Sequence, residues 1–279
     1  MLSHIKSNDN HWTVVLEGQP HQFDHTHPEY NRLVEAVMSG DSDTFIEMLN
    51  VGTAIEDWSE GNFEFKDGFL YYEDEQVATQ PTERIVSLIK NNHDHKFMMN
   101  YLDNLYQNVS NRAVEESYTW CSHKGLPITP DGMLIGYKGV SVYRGEDTTD
   151  KLGRTLTDGD LVDKYTGKSF RNNVADNNHM NRRRVSDNCE EGCAAGLHVG
   201  TYEYAVDWAG PTGVVVLVKF NPADIVSVPT DCNYQKMRVS KYEVVSIARE
   251  QLEQEVWSDY EDVVMSDVDD DYYDQGIDY

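Results

Sequence analysis

The spacing of the apolar residues changes near residue 126, and that change limits the fold more than any other feature of the chain. Before it, Tyr30, Leu33, Val34 and Val37 recur at helical spacing up to Gly40, which reads as a stop. Asp41 to Leu49 repeats the pattern with Phe45, Met48 and Leu49 on one face, and Pro81 opens a third stretch carrying Ile85, Leu88 and Ile89. Further helices are predicted over 94–107 and 110–122. After residue 126 the helical period fades and Gly, Asn and Asp become frequent. Gly213-Val-Val-Val-Leu-Val-Lys-Phe220 is the clearest strand, followed by Ile225–Val228 and Tyr242–Ile247, all β-branched runs bounded by polar punctuation. The fold class this implies is α+β. A mixed, helix-rich N-terminal part covers 1–125, a strand-rich domain covers 126–249, and 250–279 follows as a tail.

Shorter signals refine the reading. Trp12–Leu16 has strand composition and leads into a Gly18-Gln-Pro20 turn; Thr26 and Pro28 occupy the cap and first turn of the helix that follows. Asn62–Tyr72 pairs two aromatic-rich runs about Asp67-Gly68, a hairpin signal. Pro130-Asp-Gly132 reads as a turn, with Met133–Ile135 and Tyr137 as a strand beyond it. Residues 144–195 are too long for an ordinary connection, so they carry function or short irregular strands.

Charge narrows the function classes. The chain of 279 residues holds 49 acidic and 23 basic side chains, a formal charge of −26. A surface this negative repels phosphate backbones and anionic headgroups, so no nucleic acid is expected as a partner. A basic protein, a cation or a subunit with a basic patch fits better. The last thirty residues contain twelve acidic side chains and no Lys or Arg, a block that repels itself and is expected to be disordered. It either acts as a decoy for a basic groove or keeps the protein soluble. No window approaches a membrane-spanning run and the N-terminus lacks a signal-peptide pattern, so the expected compartment is the cytoplasm.

Candidate chemistry is thin. His4, His11, His21, His25 and His27 crowd the N-terminus but match no closed tetrahedral spacing. Cys189 and Cys193 with His198 supply three zinc-type ligands, and a fourth would have to come from Cys232, Cys121 or His123. With no second cysteine pair, free thiols are the expectation, with no metal and no cofactor. Arg182, Arg183 and Arg184 form the one dense basic run, suited to a phosphate, an acidic peptide or the chain's own tail. Around Gly196–Trp208, a His that closes a strand is followed by Thr201, placed to cap a short aromatic helix. This cluster is similar to that of ADP-ribosyltransferases. In that reading His198 grips a nicotinamide dinucleotide, aromatic side chains such as Tyr202 sandwich its ring, Glu243 is catalytic and Tyr137-Lys138-Gly139 is the opening strand. In the alternative, His198 is a hydrogen-bonded corner residue and Tyr202, Tyr204 and Trp208 are core. Lys138, Arg182, Arg183, Arg184, His198 and Tyr204 are the candidate binding residues, and the expected mode is binding instead of turnover.

Longer phrases resemble the phage rIIB-like family of protectors from prophage-induced early lysis. They are Asn108-Val-Ser-Asn-Arg-Ala-Val-Glu115, Leu126-Pro-Ile-Thr-Pro-Asp-Gly132 with Tyr137-Lys138, and Gly196-Leu-His-Val199 with Tyr204-Ala205. Then come Asn221-Pro-Ala-Asp-Ile-Val-Ser-Val-Pro229, Asp231-Cys-Asn233, Lys236-Met-Arg-Val239 and Tyr242-Glu-Val-Val245. Val109 stands where a Pro is usual in the family, and Ser117 where a Leu is usual. The resemblance implies a phage early protein working beside an rIIA-like partner in lysis timing and in blunting prophage or host defence. It implies the host cytoplasm, with attachment to the inner face of the membrane only through a partner. It carries over no catalytic residue.

Overall fold

The computed structural model describes residues 3–6, 11–16, 18–23, 25, 30–46, 48–49, 62–66, 69–77, 79–90, 95–163 and 170–252. The tail beyond 252, His27, the Thr26–Pro28 cap and the Asp67-Gly68 turn therefore lie outside the described residues. The chain is α+β and divides into two compact units, Met1–Val109 with Pro130–Gly132, and Ser110–Thr129 with Met133–Tyr279.

In the first unit, β1 (Ser3–Lys6), β2 (Trp12–Leu16) and β3 (Gln19–Phe23) form an antiparallel sheet in that order. The predicted Gly-Gln-Pro turn is shorter than expected. Gly18 takes the turn and Gln19-Pro20 already belong to β3, where Pro20 pairs with Val15 on an edge strand that tolerates a missing donor. The alternating Trp12 and Val14 face α1 (Tyr30–Ser39), and with Phe23, Leu33, Ala36, Val37, Phe45 and Met48 they make a core. Trp12 stacks on Phe23 at 6.0 Å, and its Nε1 donates to the Tyr30 hydroxyl at 3.2 Å. The expected hairpin is β4 (Phe63–Lys66) against β5 (Phe69–Tyr72), with β6 (Glu75–Gln76) beside it. Next come α2 (Thr79–Lys90) and α3 (Lys96–Tyr106), whose Met98, Met99, Tyr101, Leu102 and Leu105 are buried. The Pro-Asp-Gly turn is tied to α3 by Asn100 and Asn104, whose side-chain amides donate to Pro130 O at 2.8 Å and Asp131 O at 3.0 Å. Gly132 lies so close to α3 that a Cβ would sit 2.3 Å from the Asn100 carbonyl carbon.

The second unit begins with α4 (Asn111–Lys124), which the sequence division had placed in the N-terminal part. Ser110 caps it by accepting from Ala113 N, and Gly125 closes it in the left-handed region. The helix packs on β14 (Ile225–Ser227), Trp120 Nε1 donates to Tyr234 O, and Glu116 accepts from Val228 N at 3.4 Å. Ser117 is fully buried and turns its hydroxyl back on the Ala113 carbonyl, whereas Val109 is exposed.

The main sheet is antiparallel, with strand order β11 (Asn177–His179), β16 (Lys241–Ile247), β13 (Val214–Phe220), β7 (Leu134–Val142), β12 (Leu197–Gly200), β15 (Lys236–Val239), β14. A short β10 (Leu161–Val162) also pairs with β7, and β8 (Thr148–Thr149) pairs with β9 (Thr155–Leu156). Within the described residues, the polar 144–195 stretch thus consists of short irregular strands and loops. Side chains alternate across the sheet. One face carries Leu134, Val140, Val216, Val218, Phe220, Val199, Met237, Val239 and Val244, all buried, with Lys138 and Tyr242 among them. The other carries Tyr137, His198, Lys236, Arg238 and Glu243. A helix, α5 (Tyr202–Ala209), lies across this second face over Gly139, where a Cβ would fall 2.3 Å from Ala205 O.

Candidate functional site

The predicted corner at Gly196–Trp208 forms as read. Leu197–Gly200 is a strand, and Thr201 accepts from Tyr204 N at 3.2 Å to cap α5. The side chains around it fall into two polar groups, one on each face of the sheet.

On the apolar face, Lys138 is 9% exposed. Its Nζ lies 3.1 Å from Asp163 Oδ1, donates to His198 O at 3.1 Å and stands 5.6 Å from the centre of the Tyr242 ring. Beside it Tyr242 donates its hydroxyl to Asn172 Oδ1, and Asn178 Nδ2 reaches Asn172 Oδ1 at 3.0 Å and the Tyr242 hydroxyl at 3.3 Å. Burial raises the Tyr242 phenol well above its usual value, so it stays a neutral donor. Asn178 Oδ1 accepts from Arg154 at 2.6 Å, and Arg154 also grips Asp150. Arg171 holds Asp176 with two bonds of 3.0 and 2.8 Å, a bidentate pair. Burial pushes the Asp150 carboxyl up. Bonds from Arg171 N and from the side chain and backbone of Arg154 outweigh that and leave it below the ordinary range. This group is a satisfied internal network, and in it Lys138 is a structural cation.

On the opposite face, His198 stands directly across from Arg238, and Gly200 across from Lys236. Lys236 pairs with Asp231 at 2.6 Å and lies 5.8 Å from the Tyr204 ring centre. Tyr204 stacks on Trp208, while Tyr202 packs edge-on against Tyr137 and donates to Arg249 O at 3.4 Å. Burial, and after it the positive charges of Lys138, Lys236 and Arg238, push the His198 imidazole down to about 3, so it is neutral at ordinary pH. Arg238 is fully buried; Nη1 donates to Asn188 O, Ser227 Oγ and Ser186 O at 2.9, 3.0 and 3.3 Å.

The structure does not bring His198 and Glu243 together. Two strands, β7 and β13, lie between them, so three spacings of ~4.8 Å put them about 14 Å apart across the sheet. Continuing the registers places His198 level with Gly139 and Glu243 level with Ile135, roughly 13 Å further along. Glu243 instead faces Lys219 at 3.9 Å across the strand pair. The arginine run also divides. Arg182 donates to Ala223 O and Ile225 O, both at 2.9 Å, and fastens a loop, while Arg183 and Arg184 are exposed. Cys121, Cys189 and Cys193 are free thiols; among the described residues no three His, Cys, Asp or Glu side chains group to hold a metal ion. No helix of the described residues is long and apolar enough to cross a membrane.

The structure adds Asp150, Arg154, Asp163, Arg171, Asp176, Lys236 and Arg238 to the candidate site residues read from sequence. For the last two a signal existed. Lys236-Met-Arg-Val239 alternates basic with apolar, the period of a strand with one cationic face.

The family profile of bacteriophage T4 protein rIIB matches residues 4–251, through both units. The chain belongs to the rIIB family. Protein rIIB of Enterobacteria phage T4 is 28% identical over 227 residues, covering 81% of this chain and 67% of that protein. No solved structure matches the chain. The rIIB phrases read in the sequence fall on the caps and strands just described. Asn108–Glu115 enters α4, Gly196–Val199 is β12, Asn221–Pro229 contains β14, and Lys236–Val239 is β15.

Proposed function

We propose that this rIIB-family chain acts by binding: it pairs with an rIIA-like protein of the same phage, modulates the timing of host lysis and counters prophage or host defence. The observation that carries this reading is the family match through residues 4–251. The polar groups of the strand-rich unit support it. Lys138, Arg154, Arg171 and Arg182 are engaged in internal bonds, and His198 lies far from Glu243. That arrangement disfavours a dinucleotide-handling enzyme built on His198, Tyr202 and Glu243. The exposed Arg183 and Arg184 are the nearest contact side chains for an acidic partner surface. Affinity purification of the tagged chain from infected cells is expected to recover an rIIA-like phage protein, less of it with Arg183→Ala/Arg184→Ala. Recovery of abundant host proteins alone would sink the reading.

A further inference from the structure

Arg238 is the unusual group of the molecule. A guanidinium offers five N–H donors, and a buried one normally has all of them matched. Here Nη1 is saturated by Ser186 O, Asn188 O and Ser227 Oγ, whereas Nε and Nη2 donate to nothing among the described residues although the side chain is 0% exposed. Those two atoms form one edge of the guanidinium, and their parallel N–H bonds match the two oxygens of a carboxylate or a phosphate. Opposite, on β12, His198 Nε2 is likewise buried without a partner. Lys236 lies one alternate residue along β15, with its charge engaged by Asp231 at 2.6 Å. The cover over Arg238 comes from the 186–196 loop. Ser186 O and Asn188 O cap Nη1, and a Cβ at Gly196 would touch Arg238 Cβ and Cδ at 3.1 Å. In that loop Asn188, Glu190, Glu191 and Cys193 are exposed, so the same segment that covers Arg238 borders solvent.

We propose that the Nε–Nη2 edge of Arg238, with His198 Nε2 facing it and Lys236 alongside, is a binding site for a singly charged oxyanion, the carboxylate or phosphate group of a small ligand. The charge balance favours one negative charge. Lys236 is paired with Asp231 and the imidazole is neutral, while the Arg238 charge has no ion pair among the described residues and is offset only from a distance by Asp231 and Glu191. Glu191 contributes to the field at Arg238 from the loop. The site is independent of the partner reading above, because nothing in it depends on which protein the chain contacts.

The test is nitrogen-15 NMR of the full chain, following the Arg238 Nε–H and His198 ring signals. Inorganic phosphate and sodium acetate are titrated separately against sodium chloride at matched ionic strength. Saturable displacement of both signals is expected with phosphate, acetate or both, together with a raised His198 titration midpoint. The two arms tell phosphate from carboxylate chemistry. Arg238→Lys keeps the charge but loses the two-donor edge, and should weaken binding at least tenfold. Absence of saturation beyond the chloride control overturns the proposal, as does equal binding by Arg238→Lys. Should that variant fail to fold, a crystal structure of the unmodified chain grown with phosphate and with acetate decides. An oxyanion on Nε and Nη2 supports the site. A water, or the carboxylate of Glu191 or Asp231, on that edge refutes it.

Discussion

Replacing Lys138 by Met keeps the aliphatic stem and deletes only the ammonium. Three interactions go with it: the ion pair with Asp163 at 3.1 Å, the bond to His198 O at 3.1 Å and the contact with the Tyr242 ring. Asp163 is then a carboxylate with an 18% exposed side chain, left with the 3.3 Å bond from Asn172 among the described residues. Removing one member of a buried ion pair typically costs about 3–5 kcal/mol, because the other charge stays behind unpaired. The partial exposure of Asp163 lets water reach it, which puts the expected loss near the lower end, about 3 kcal/mol. For a chain of this size that is a fall in Tm of roughly 6–12 °C. Lys138→Met/Asp163→Asn removes both charges, and it should be clearly more stable than the sum of the two single changes would give. Urea unfolding followed by far-UV circular dichroism measures all four corners of the cycle. A Lys138→Met loss below about 1 kcal/mol, or strict additivity in the cycle, would refute the assignment of Lys138 as a structural cation.

Other perturbations probe different parts of the frame. In the folded chain His198 titrates at about 3, against roughly 6.5 in an unfolded chain, so the unfolded state binds more protons between those values. Stability is full above pH 6.5 and should fall by about 1.4 kcal/mol per pH unit as pH drops below it; unfolding at pH 7.0 and 5.5 should show this slope, and His198→Gln should lack it. Gly139→Ala drives a methyl into Ala205 O at 2.3 Å, and is expected to cost about 1–3 kcal/mol in thermal unfolding. Tyr242→Phe removes the hydroxyl that donates to Asn172 Oδ1 and accepts from Asn178 Nδ2, which keep each other as partners, an expected loss of about 0.5–1.5 kcal/mol by urea titration.

The elements most legible in the sequence were those whose local pattern and tertiary burial agree. Val214–Phe220 is a central strand paired on both edges, so its apolar run Val214–Val218 has no competing interpretation. Thr201 and the helix it caps were equally clear, because capping is a local interaction. Ser3–Lys6 and Lys236–Val239 were not read as strands. The first is exposed throughout and has no apolar alternation, and the second carries two charges into a fully buried strand. The sequence division near residue 126 and the structural one at Ser110 differ for a related reason. Helix α4 has the composition of the helices before it, yet its packing on β14 joins residues more than a hundred positions apart. The candidate site was half visible. His198 stood out, but Arg238 matters through an unmatched edge, which no spacing encodes.

Two arginines of the strand-rich unit fix loops mainly by way of carbonyl oxygens. Arg238 grips Ser186 O and Asn188 O, and Arg182 grips Ala223 O and Ile225 O. A carbonyl is the same whichever amino acid carries it. The course of the 186–196 segment is therefore largely uncoupled from the identity of the exposed Asp187 and Glu190, whereas the side chains of Asn188 and Glu191 accept from Glu190 N and Ser186 Oγ. Substitutions at Asp187 and Glu190 can therefore change the exposed surface while the platform beneath it stays as it is.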